Sequence, residues 1–115
     1  MATQGSQLLC AALFLTIGAT ASARDLGAFD FEYCKVKEEL AGQIMEARQM
    51  GRPMSSVMDT VRAGSGDPQF AVKAVQKAYD EPRFNSSANQ RRAVIDFSSS
   101  YYAACLKARA ENRAF

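Results

Sequence analysis

Apolar side chains recur along this chain at steps of three and four, the spacing that places them on one face of an α-helix. Tyr33, Val36, Leu40, Ile44 and Ala47 follow that rule and predict a first helix from about Phe31 to Met50. Asp30 stands where an N-cap belongs. Gly51 tolerates the positive φ that ends helices, and Pro53 prevents continuation. Met54, Val57, Met58 and Val61 predict a short second helix, about Ser55 to Ala63, with Ser55 as cap and Gly64 as stop. Gly64-Ser65-Gly66 then reads as a turn. Asp67-Pro68 opens a third helix, with aspartate as cap and proline at the first helical position. Its apolar side is Ala71, Ala74, Val75, Ala78 and Tyr79. Pro82 ends it, because the residue before proline avoids the α region. The connector Pro82 to Ser87 is irregular and carries Phe84. Ser86 or Ser87 caps a fourth helix running to about Arg109, with Gln90 spaced for a capping box from Ser87. Val94, Ser98, Tyr101, Cys105 and Ala108 share its main face, with Ile95, Tyr102 and Leu106 beside it. The tail Ala110 to Phe115 is expected to fray. No segment alternates as a strand would, so the expected fold is all-α: a small four-helix domain, two helices long and two short.

The N-terminal segment follows another rule. Leu8 to Ile17 is apolar apart from one threonine, and Gly18 loosens it before Ala21-Ser22-Ala23, the small-x-small pattern cut by a signal peptidase. The run is about ten residues, against roughly 20 needed to cross a bilayer, so a membrane anchor does not fit. Cys10 lies inside the run, away from the position a lipoprotein signal requires. Residues 1–23 are therefore expected to be a cleavable signal peptide, and 24–115 a single helical domain in the periplasm or outside the cell. Two cysteines, Cys34 and Cys105, remain after cleavage, and an oxidising compartment favours their pairing. Cys34 lies early on the first helix and Cys105 late on the last, so antiparallel packing brings them together.

Composition narrows the chemistry. All 14 Lys and Arg and all 12 Asp and Glu lie beyond residue 23, giving a net charge of +2 that is well mixed in sign. A nucleic-acid surface would show a clustered basic stripe, so no nucleic-acid partner is expected. Histidine is absent, which removes the usual general base and the commonest metal ligand. Neighbouring carboxylates such as Glu38-Glu39 and Asp80-Glu81 point about 100° apart on a helix and do not converge. No glycine-rich phosphate loop occurs, and no cofactor or metal is expected. Two polar-aromatic segments remain: ARQMGRPM, at residues 47–54, and YDEPRF, at residues 79–84. Arginine and aromatic residues are what interface hot spots favour, so Arg48, Arg52, Tyr79, Arg83 and Phe84 form the candidate interaction surface. The competing reading is structural: Arg48 and Arg52 complement a helix C-terminus, while Tyr79 and Phe84 close the core.

The order Cys34, ARQMGRPM, AYDEPRF and a last helix ending near Cys105 resembles small uncharacterised exported helical proteins of Gram-negative bacteria with two cysteines. That resemblance spans nearly all of residues 24–115 and implies a periplasmic helical protein, with no activity or site residue to carry over. A looser similarity, in size and in the single disulfide, is to periplasmic acid-stress chaperones. The expected function is a non-enzymatic periplasmic or secreted binding protein with an envelope protein as partner and no stable membrane insertion after cleavage. The alternative is an acid-stress chaperone, and an enzyme is the third reading.

Overall fold

The computed structural model describes residues 24–115; the expected signal peptide, 1–23, lies outside them. The described chain forms four helices and no strand: α1 (Ala28–Gln49), α2 (Met54–Gly64), α3 (Pro68–Asp80) and α4 (Ser87–Ala110). None is long and apolar enough to cross a membrane.

α1 and α4 run antiparallel and form the main pair. Cys34 and Cys105 are joined, with Cα atoms 5.5 Å apart and both residues fully buried. One turn further along each helix, Arg109 Nε donates to Asp30 Oδ1 at 2.7 Å. Towards the other end, Gly42 of α1 faces Ser98 and Val94 of α4. α3 packs across α1 and α2 through Ala71, Ala74, Val75 and Ala78, all with no exposed surface. These short side chains let helices approach closely while leaving few voids.

Several boundaries depart from the sequence pattern for identifiable reasons. α1 starts at Ala28, and Gly27 is its N-cap. Asp30 is therefore inside the first turn, where its carboxylate accepts the Gly27 N–H at 3.0 Å. That bond, then the Arg109 and Arg24 guanidinium groups, hold its carboxyl down at about 2. α2 begins at Met54 after Pro53, and Ser55 makes no cap. Asp67 does cap α3, accepting from Phe70 N–H at 3.2 Å. Ser86, rather than Ser87, caps α4. Gln90 turns away from a capping box and donates to the Phe84 carbonyl at 2.7 Å.

The buried side of α1 is also rotated from the expected stripe. Cys34, Lys37, Ala41, Met45 and Gln49 are buried, whereas Val36 is 62% exposed. α1 meets α4 on one side and α3 on another, so its inner surface is wider than one apolar stripe. On α4, Phe97 is buried and Ile95 exposed. The tail does not fray. Asn112 takes φ 53°, and Phe115 folds back to 5.5 Å from the Phe70 ring.

Lys37 is a buried cation of α1. Its ammonium lies 2.6 Å from Asp67 Oδ2 and 4.4 Å from the Phe70 ring centre. The aspartate that caps α3 thereby also neutralises a cation from α1. The ammonium, and then the Phe70 N–H, hold the Asp67 carboxyl below its ordinary value.

Candidate functional site

The five candidate residues converge where the end of α1 meets the connector between α3 and α4. The convergence begins with the α1 C-cap. Gly51 takes φ 77°, its N–H donates to Arg48 O at 3.0 Å, and Arg52 N–H donates to Ala47 O at 3.0 Å. This pair of bonds is the Schellman closure, which needs a left-handed residue at its centre. A Cβ at Gly51 would also lie 2.8 Å from Arg83 Cζ, so a side chain there would push the guanidinium aside.

The connector has no backbone ladder of its own, and side chains supply its partners. Arg48 donates to Glu81 O through Nε and Nη2, at 3.2 and 3.1 Å. Gln49 Nε2 donates to Pro82 O at 2.9 Å, while Gln49 Oε1 accepts from Phe84 N–H at 2.9 Å. Arg83 Nε returns a bond to Gln49 O at 3.0 Å. The Tyr79 hydroxyl donates to Arg52 O, and the Arg48 guanidinium lies 5.1 Å from the Tyr79 ring centre. Partial burial raises the Tyr79 phenol above its ordinary value.

Arg48, Tyr79 and Arg83 thus each donate to backbone carbonyls of the neighbouring turn, Arg83 through Nε alone. Arg52, Arg83 and Phe84 keep exposed side chains. Gln49, which the sequence reading passed over, is central to the clasp and only 2% exposed. Its signal was available: it continues the step Ala41, Met45, Gln49 along the buried side. Replacing Gln49 with alanine strands Pro82 O and Phe84 N–H and lowers stability by about 2 kcal/mol, since unmade bonds at partly buried groups cost about 1–3. Urea unfolding measures this, and amide exchange at Phe84 reports the lost protection.

Arg52 also borders a groove of about 870 Å³ between α1, α2 and the Gly64–Asp67 turn. Tyr33, Val36 and Leu40 of α1 form one wall, with Ile44 at its base, and Val57 and Val61 of α2 form the other. Tyr33, Val36 and Leu40 belong to the apolar stripe that the sequence assigns to the core; here Val36 is exposed and Tyr33 and Leu40 are half-buried, while Ile44 and Ala47 of the same stripe are buried in the core. The volume falls within the roughly 300–1,000 Å³ of small-ligand sites, and the lining mixes apolar side chains with polar ones, among them the Lys37–Asp67 ion pair. A smaller cavity of about 450 Å³ lies beside Phe84, Arg92, Asp96 and Phe97. Among the described residues, no cluster of three or more His, Cys, Asp or Glu could hold a metal ion. No protein-family model, curated protein or solved structure matches the chain.

Proposed function

We propose that the chain is an exported, non-enzymatic binding protein, and that its partner inserts an apolar segment into the groove between α1 and α2. The observation that carries this reading is the open part of the stripe: Val36 is exposed and Tyr33 and Leu40 are half-buried along the groove, with Leu40 also packed on the core. Binding would cover apolar surface that otherwise stays in water. Export is supported by the apolar run 8–17, the Ala21-Ser22-Ala23 site and a disulfide suited to an oxidising compartment. Of the expected surface, Arg52 borders the groove and has an exposed side chain that can meet a partner. Arg48 and Arg83 hold the clasp, so reversing their charge would disturb the fold as well as binding.

The acid-chaperone alternative requires loosening near pH 3. Asp30 contributes to such a response at the end of the α1–α4 pair. Its carboxyl is depressed in the fold, so the stability it contributes is complete above the ordinary aspartate value of 3.8 and is lost progressively as pH falls from there through about 2.

Capture of an envelope partner tests the groove. Val36→Lys places a charge on the groove wall at an exposed helical position and should weaken capture at least about tenfold, because an apolar contact then buries an ammonium. Gln76→Lys, on the exposed side of α3, should leave it unchanged. Equal capture by the Val36 variant and the parent protein overturns the assignment.

A further inference from the structure

A helix ends on carbonyls that need partners from beyond its own ladder. In α4, Lys107 O accepts from Glu111 N–H at 3.1 Å, Ala108 O from Arg113 N–H at 2.8 Å, and Arg109 O from Asn112 N–H at 3.2 Å. The last carbonyl, Ala110 O, accepts from the backbone nitrogen of Arg24 at 2.7 Å, which comes from the opposite end of the described chain. The Arg24 side chain is held too. Nη2 donates to Asp30 Oδ1 at 2.5 Å, and Nε donates to Arg109 O at 3.3 Å. Main chain and side chain of Arg24 therefore both close on the α4 C-terminus, next to the disulfide-bonded pair.

That nitrogen is the one a cut after Ala23 would release. Hydrolysis of the Ala23–Arg24 bond by a signal peptidase consumes one water, leaves a carboxylate on Ala23 and frees an α-amine on Arg24. Near neutral pH the amine takes up a proton, since its ordinary pKa is about 8. A neutral amide has a single hydrogen to donate, whereas an ammonium has three and a full charge. A positive charge at a helix C-terminus interacts favourably with the helix dipole.

We propose that the α-ammonium created at Arg24 by removal of residues 1–23 is a structural group of the mature protein, capping α4 through Ala110 O, so that processing itself stabilises the fold. The proposal rests on the reading of the chain as exported and cut after Ala23. The charged groups around the site are the Asp30 carboxylate of α1, the Arg109 and Arg24 guanidinium groups, and the Glu111–Arg113 pair of the tail. The Asp30 carboxylate favours the ammonium and the guanidinium groups oppose it, leaving the helix terminus to decide the balance.

The experiment compares two exported proteins. One is the native chain; the other carries Gly-Ser inserted between Ala23 and Arg24, so that cleavage leaves Arg24 with an amide nitrogen and moves the charge two residues away. Intact mass is read first. A native product that does not begin at Arg24 overturns the cleavage reading and the proposal with it. With the native product beginning at Arg24, thermal unfolding at pH 6 should show the inserted form melting about 3 °C lower, the size expected for a charge at a helix terminus in a domain of this length. At pH 10, where the α-amine is neutral in both proteins, the difference should vanish. Equal melting at pH 6, or a difference that persists at pH 10, overturns the capping role while leaving the cleavage reading intact.

Discussion

Reduction of the Cys34–Cys105 disulfide lowers the unfolding free energy by about 4 kcal/mol. The bond closes a loop with a sequence separation of 71, and the chain-entropy model assigns roughly that amount to a loop of this length. A domain of this size has on the order of 5–14 kcal/mol of stability in total, so the loss is a large part of it. Both cysteines are fully buried, so a reductant reaches the sulfurs only through opening of the α1–α4 pair. The native protein should therefore resist mild reductant that acts readily in moderate urea. Two measurements separate the entropic origin from lost packing. The urea midpoint should fall on reduction, and the slope of free energy against urea should rise, because the reduced denatured chain exposes more surface. A reduced protein within about 1 kcal/mol of the oxidised one overturns the prediction.

The helix boundaries were largely legible because they depend on local chemistry. Gly51, Asp67-Pro68 and Pro82 act through their own φ angles, their caps and the atoms next to them. The orientation of α1 was not legible in that way. Its apolar stripe through Val36 and Leu40 satisfies the helical period, yet Gly42 lies against Ser98 and Val94 of α4, and small residues add little to an apolar pattern. The N-terminal part of the stripe consequently lines the groove, while its Ile44 and Ala47 join Ala41 and Met45 in the core and Cys34 meets Cys105 of α4. The candidate surface was legible as a cluster, since its members flank two turns that the fold brings together. Whether Arg48 and Arg83 point into solvent or onto carbonyls depends on where residues 81–84 lie against α1, a tertiary relation with no local signature. The tail was misread for a similar reason: Phe115 is a single aromatic with no neighbouring pattern, and its partner Phe70 is distant in sequence.

That partnership has the second large consequence. Phe70→Ala lowers stability by about 3–5 kcal/mol, the usual cost of truncating a buried phenylalanine. Phe70 is 8% exposed on the first turn of α3, with the Tyr101 ring of α4 edge-on at 5.4 Å and Phe115 at 5.5 Å. Phe97 stands 5.0 Å behind Tyr101, and the Lys37 ammonium lies over the Phe70 face. One ring thus joins α1, α3, α4 and the tail. Its removal leaves a cavity between elements whose backbones are held elsewhere, by the disulfide at one end of the α1–α4 pair and the clasp at the other, so collapse to fill the space is restricted. The buried ammonium loses its aromatic face as well, though it keeps Asp67. Phe70→Leu retains most of the volume and should lose less than half as much. A double-mutant cycle with Phe115→Ala separates the aromatic contact from simple burial: the two losses should fall short of additive by about 0.5–1.5 kcal/mol if the rings stabilise one another. Denaturant unfolding of the oxidised variants gives all of these values. A Phe70→Ala loss below about 1 kcal/mol would mean that α3 docks on α1 and α2 through its alanine face alone, with the aromatic cluster and the folded-back tail contributing little.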